Sequence, residues 1–444
     1  MTKLPTPRLG ARLGGAALAA CILAADCASP GTKSTTDGST GATSTAAAQA
    51  AAATPEPLPA NCTPLESRPA NASGQTPAFP GQTRICGVSS NVAFDVVELT
   101  KALDHPWAVE PLPDGRLLVT ERPGRMRIVS ASGQVGEPIS GIPAVAAGGQ
   151  GGLLDVALAP TFAQDRTIFW SYSEPREGGN GTAIARGVLS ADGTRVDNVQ
   201  VIFRVMPTYN GRQHFGSRIA FGPDGMLYSG FGDRSDRQMR PHAQQLDGHL
   251  GKTIRIRLDG SAPPDNPFVG RADAKPEIWT LGHRNPQALG FDAQGRLWEV
   301  EHGTRGGDEL NLIEKGKNYG WPIQAYGVEY SGQPITSALG SATPSAQGMT
   351  QPTYFWDPVI APSGLQFYTG NAFPAWRGSA FIGGMGSRRL VRLVLDGTKV
   401  VGEEHLLADR NQRVRDVRQG PDGMLYLVTD EAAGAVWKLV PKGQ

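Results

Sequence analysis

Residues 223–233 read PDGMLYSGFGD, and the same phrase returns as PDGRLLVTE at 113–121 and PDGMLYLVTD at 421–430, with a degenerate copy, DAQGRLWEVE, at 292–301. Each complete copy sets a turn before an apolar strand: proline presets φ, and glycine accepts the positive φ that tight turns need. The strands are short, and each hands over to a polar residue: Glu121, Asp233, His302 or Asp430. Such turn-and-strand units recur through residues 91–444 with little helical periodicity between them. They predict an all-β fold, a six-bladed β-propeller of four-stranded antiparallel blades, since a blade with its loops takes about 40–50 residues. A pair of β-sandwiches is the architectural alternative, but a repeated turn favours radial repetition. The repeat assigns no activity, because propellers carry enzymes and pure binding modules alike.

The chain has 444 residues, with 42 Lys plus Arg against 41 Asp plus Glu, so no excess of positive charge points to nucleic acid as a partner. Upstream of the repeats the composition changes. Residues 1–28 read as an export signal: Lys3, Arg8 and Arg12 precede the apolar run Leu13–Ala25, which is too short to span a bilayer. Within it, Leu18-Ala19-Ala20-Cys21 has the form of a bacterial lipobox, with a plain secretory signal cut near Ala25–Ala28 as the other reading. The expectation is an exported, periplasmic protein held at the membrane only by a lipid on Cys21. Residues 29–60, largely Ala, Ser, Thr, Gly and Pro, read as a flexible tether. Residues 61–90 form an N-terminal extension whose Cys62 and Cys86 either bridge, as an oxidising compartment allows, or stay as thiols.

Chemistry is expected in the polar loops at the strand ends. His214 precedes FGSRIAF (215–221), and Asp233 ends the next strand, so a hairpin about the 223–225 turn brings the two to one end. There a carboxylate can accept the Nδ1 proton and make the other nitrogen more basic. On spacing alone, a structural hydrogen-bonded histidine is the commoner reading. Gln150 sits in AGGQGGLLD (147–155), which also suits a simple tight turn, and Arg284-Asn285 in GHRNPQ (282–287), where an arginine paired at a strand end is the alternative. A glycine-rich acidic loop, EHGTRGGDE, follows at 301–309. Arg413 and Arg415 in RVRD (413–416) are two apart, hence on one face of a strand, a geometry fit to clamp an anion or to form a solvated basic edge.

Taken together, these motifs resemble the soluble PQQ-dependent sugar dehydrogenases of the glucose/sorbosone dehydrogenase family, in particular its aldose sugar dehydrogenase branch. The resemblance runs from about Leu103 to Leu439. It implies that His214 is the general base, with Asp233 as its partner, and that Gln150 meets both cofactor and sugar. It places Arg284 and Asn285 at the cofactor's quinone oxygens, where Arg284 would stabilise charge developing as hydride arrives. The backbone carbonyls of Gly303 and Thr304 would hold Ca²⁺, with Thr304 standing where many relatives have proline. Asp308 matches a carboxylate near the substrate, and Arg413 and Arg415 match residues that reach the cofactor's carboxylates. Relatives carry a lysine where this chain has Gly386, which leaves Arg388 or Arg389 as its candidate replacement.

The implied cofactors are PQQ and Ca²⁺, the substrate an aldose sugar oxidised at C1 to a lactone, and the partner an electron acceptor, quinone or cytochrome. Two other functions fit a propeller. A Ca²⁺-dependent lactonase or esterase would need neither the Arg413/Arg415 pair nor Arg284-Asn285. A non-enzymatic carbohydrate-binding propeller would not need His214, Asp233 and the acidic loop together.

Overall fold

The repeated turns form as the sequence predicts. Gly115, Gly225, Gly295 and Gly423 have φ of 83°, 75°, 75° and 77°. In each turn the aspartate side chain accepts a backbone N–H two residues on, from Arg116, Met226, Gln294 and Met424. That bond is the reason aspartate holds this position. The apolar strands that follow pair with their neighbours as antiparallel hairpins.

The computed structural model describes residues 61–443; the lipobox at Cys21 and the tether at 29–60 lie outside them. Six antiparallel sheets are arranged as a six-bladed propeller, each blade starting at its innermost strand. In chain order these inner strands are Pro106–Pro111, Leu153–Leu158, Ile219–Phe221, Pro286–Phe291, Pro362–Phe367 and Val414–Gln419. Each packs against the next, and the last packs against the first, which makes the ring. Five blades have four regular strands. The first has three, and its outer edge is completed by single bridges, Val129 to Val135 and Ile139 N–H to the Met126 carbonyl. The core lies between neighbouring blades: Trp170 packs with Trp107 and Leu153, and Trp298 with Leu365 and Val391.

The ring is closed by its two ends. Strand Phe94–Leu103 pairs with Gly434–Pro441, from Phe94 opposite Pro441 to Leu103 opposite Gly434, and supplies the outer strand of the last blade. Just before it, the extension at 61–90 is fastened by a disulfide between Cys62 and Cys86, so the free-thiol alternative does not apply. The extension runs along the fourth and fifth blades. Asn71 and Ala72 donate their N–H groups to Asp357, Gln75 bonds the Gly327 backbone in both directions, and Val88 N–H bonds the Glu403 carbonyl. Among the described residues, no helix is long and apolar enough to cross a membrane.

Candidate functional site

The loops at one end of the inner strands surround a cavity of about 190 Å³, bordered by Trp107, Arg122, Gln150, Phe215, His302, Met385, Arg413, Arg415 and Asp430. All six blades or their connecting loops contribute to this wall.

His214 and Asp233 meet as the hairpin reading requires. The His214 Nδ1 to Asp233 Oδ1 distance is 2.6 Å, and both side chains are buried. His214 has a φ of 47°, a left-handed conformation, and its N–H is held at 2.8 Å by Gln150 Oε1 from the second blade. Gln150 therefore braces the histidine besides bordering the cavity. Gly216, at φ 66°, lies so close to Gly230 that a side chain would strike its carbonyl, so only glycine lets the chain turn from His214 into the strand. Burial and the nearby Arg284 charge lower the His214 pKa below its ordinary value against the pull of Asp233. Burial raises Asp233, but His214 and Arg284 outweigh it and hold the carboxyl below its usual range. The pair is a neutral imidazole donating from Nδ1 to a carboxylate, which leaves Nε2 as a lone-pair base.

Arg284 and Asn285 stand beside this pair. Their backbone N–H groups bond Glu301 Oε2 at 2.6 and 3.2 Å, and the Arg284 guanidinium reaches the His302 carbonyl at 3.0 Å. Arg284 Nε and Asn285 Oδ1 are buried without partners, capacity that buried polar groups seldom leave unused. His302, a residue the motifs did not single out as a ligand, is 2.8 Å from the Pro362 carbonyl through Nε2, so that nitrogen carries the proton. Its Nδ1 faces the Asn285 amide at 3.3 Å. Burial and the charges of Arg284 and Arg415 push His302 down to about 3, so it is neutral.

The acidic loop contains an arrangement that appears only once the register is known. Glu301 and Glu309 are directly opposite each other on paired strands, a like-charge placement that costs stability unless something neutralises it. Burial, reinforced by the charge of Glu301, holds Glu309 well above the usual carboxylate range. Asn311 Nδ2 reaches both, at 3.1 and 3.2 Å. On the other side, Glu301 joins Glu299 and His283, and the ligand atoms of these three lie within 4.8 Å of one another. Burial lowers His283, but the two carboxylates outweigh it and push the imidazole up to about 10. That cluster is already internally paired.

Gly303, Thr304, Glu301 and Glu309 border a second, ion-sized cavity of about 10 Å³, and Thr304 Oγ1 is buried there without a partner. The wall is mixed, with Arg284, His302 and aromatic rings beside these residues, but the oxygens of Gly303, Thr304, Glu301 and Glu309 are the donors a hard divalent cation takes. Asp308 takes a different place from the one expected. Its two oxygens accept Gly303 N–H at 2.8 Å and Ala361 N–H at 2.7 Å, so it braces the loop rather than presenting a carboxylate to a substrate. Burial pushes it up to about 7, against those two hydrogen bonds.

Arg413 and Arg415 converge as their spacing suggests, although Arg413 precedes the strand and a bulge separates Val414 from Asp416. Both bond Asp430 Oδ2, at 3.1 and 3.0 Å, and Arg122 lies 4.0 Å from Oδ1. Burial would raise Asp430, yet Arg415, Arg122 and Arg413 hold it far below the carboxylate range. Arg388 is not brought to the cavity. It bonds the Asn411 carbonyl and Glu431 on the exposed side of the same region. Gly386 itself packs within about 3.1 Å of Ala361 and Ile360 at the position a Cβ would take, so a lysine there would need its neighbours to yield.

The family model described as Glucose / Sorbosone dehydrogenase matches residues 103–438. An aldose sugar dehydrogenase from Escherichia coli is 44% identical over 351 residues, 78% of this chain and 93% of that protein. A crystal structure of a glucose dehydrogenase superposes with a TM-score of 0.75 at 48% identity, covering 78% of this chain and 99% of the other. The PQQ-bound form of an aldose sugar dehydrogenase from Streptomyces coelicolor superposes with a TM-score of 0.64 at 30% identity, covering 79% and 99%.

Proposed function

The chain belongs to the glucose/sorbosone dehydrogenase family, and from that membership we propose that it oxidises aldose sugars at C1 to lactones with PQQ and Ca²⁺ as cofactors. The observation that carries this reading is the buried His214–Asp233 pair beside a cavity whose wall holds guanidiniums in excess of carboxylates. The cavity wall fits a flat tricarboxylate. Arg122, Arg413 and Arg415 offer fixed positive charge, and Arg284 and Asn285, against His302 at the edge of the cavity, offer the partnerless Nε and Oδ1. The Gly303–Thr304 loop and Glu309 fit Ca²⁺ through their oxygens.

When bound, PQQ supplies the two-electron acceptor for hydride and Ca²⁺ the charge that activates it. His214 accepts the C1 hydroxyl proton at Nε2, and Asp233 fixes the tautomer and stabilises the imidazolium that results. Arg284, beside the His214–Asp233 pair, contributes positive charge where negative charge develops. Gln150 holds the His214 backbone in place. An unidentified quinone or cytochrome then takes the electrons. Export to the periplasm and anchoring through Cys21 belong to this proposal as well.

Reconstitution tests it. Protein lacking residues 1–60 should reduce a dye in the presence of aldose only after PQQ and Ca²⁺ are added, and NAD should not substitute. Lactone hydrolysis without PQQ would favour the hydrolase instead, and sugar binding without turnover the binding module. His214→Ala should keep PQQ but lose about 10² to 10⁴ in kcat. Because His214 titrates below the ordinary histidine range, the acid limb of the wild-type kcat/KM profile should lie below about pH 6.5.

A further inference from the structure

The Asp233 carboxylate has a second oxygen, and what occupies it comes from another blade. Oδ1 takes His214 Nδ1 and, at 2.7 Å, the N–H of Ser235; Oδ2 takes the indole N–H of Trp321 at 2.7 Å. Trp321 lies beyond the third strand of the fourth blade, whereas Asp233 follows the second strand of the third, Leu227–Phe231, and both are buried. With donors on both oxygens, the carboxylate cannot rotate about Cβ–Cγ without breaking a buried charge-assisted hydrogen bond.

Tryptophan is a donor only. The indole N–H at Oδ2 and the Ser235 N–H at Oδ1 are both held more strongly by a carboxylate than by the neutral acid. Trp321 therefore favours the ionised Asp233, and an ionised Asp233 requires the proton of the pair on His214 Nδ1.

The indole is itself locked. The Trp321 backbone N–H bonds the Gly282 carbonyl at 2.9 Å, and the backbone carbonyl accepts from Gln244 at 2.7 Å. The guanidiniums of Arg240 and Arg284 lie over the ring at 5.4 and 5.3 Å, and Arg240 is held there by Glu329. This is more fixation than an aromatic core residue needs, and it converges on the direction of one N–H.

We propose that Trp321 is a positioning residue of the catalytic pair, its indole N–H holding the Asp233 carboxylate so that His214 is kept in the tautomer that leaves Nε2 free as the base. The proposal rests on the reading of His214 as general base. Besides Asp233, the charged and titratable groups near His214 are Arg284, Arg234 and His302, and Trp321→Phe leaves all of them in place.

The experiment has two parts on the same full-length variant, Trp321→Phe, which keeps an aromatic ring and deletes the N–H. In cofactor-free protein, a nitrogen-resolved NMR titration of His214 should show its pKa raised by about one unit, because an Asp233 relieved of one donor holds the imidazolium more strongly. In protein loaded with PQQ and Ca²⁺, kcat should fall about 10-fold with little change in sugar KM. The loss should vanish in an Asp233→Asn background, since the two residues act through one another. An unchanged His214 titration, or a loss that multiplies in full with Asp233→Asn, overturns the proposal and makes Trp321 a core residue only. If Trp321→Phe does not fold, the 3-benzothienylalanine analogue, which replaces N–H by sulfur in the same ring shape, carries the same expectations. A shifted His214 titration in protein that never oxidises sugar would uphold the positioning role while defeating the dehydrogenase reading, so the two failures are distinct.

Discussion

One short stretch, residues 413–418, places arginines in two charge clusters of opposite character. Arg413 and Arg415 face the cavity, where with Arg122 they put three guanidiniums on the single carboxylate of Asp430. Arg418 reaches into the shaft at the centre of the ring, where with Arg218 it shares the three carboxylates of Asp155, Asp416 and Glu110. The first cluster has positive charge to spare. The second has none: two guanidiniums face three carboxylates, and burial pushes Glu110 up to about 7, so a proton on it completes the match. Buried charge that is fully matched is structural, whereas buried charge left in excess marks a place for a ligand of opposite sign.

The comparison breaks most easily at its matched end. Arg218 is almost wholly buried, and removing it leaves Asp155 and Asp416 partly uncompensated, a change that costs about 3–5 kcal/mol for a buried pair. Arg218→Met should therefore lower the denaturant midpoint more than any cavity substitution, and a protein as stable as the parent would undo the distinction. At the unmatched end the loss should fall on the ligand instead. Arg415→Ala should weaken PQQ binding about 10-fold or more in an apo-protein titration, with a smaller effect for the more exposed Arg413→Ala.

Asp430→Asn sharpens the comparison from the other side. Deleting the one negative charge leaves three guanidiniums uncompensated, so PQQ affinity should rise by about a few-fold while the cofactor-free protein melts earlier. If binding weakens instead, Asp430 orients the clamp more than it competes with the ligand. The smallest effect is expected from Arg388→Ala, whose partners are Asn411 and Glu431 outside the cavity. PQQ affinity should be unchanged within error, and a 10-fold loss would restore Arg388 to the site.

The architecture was legible where its local signal repeats. Four blades carry the turn, and in each the strand following it is where the sequence puts it. The second and fifth blades were silent because they turn differently, through the one-turn helix Phe162–Asp165 and the short 3-10 segment Pro374–Trp376. The site divides along the same line. His214 and Asp233 are joined by one hairpin, so spacing suggested the pair. Glu309 gains meaning only from its register opposite Glu301, and Trp321 only from a contact between blades. Asp308 was read by motif position, but its orientation toward Gly303 and Ala361 depends on a neighbouring blade. Contacts across the ring leave no period in the sequence.

The pairing of Phe94–Leu103 with Gly434–Pro441 has a consequence for the order in which the molecule can be assembled. The last blade joins the propeller's first strand to its last, so the ring stays open until Gly434–Pro441 has been made. Arg413 and Arg415 lie at the start of that blade's inner strand, so the excess guanidiniums are seated by the closing event itself. A chain cut short before Gly434 should therefore lack a closed ring and leave Arg413, Arg415 and Asp430 in an unfinished blade.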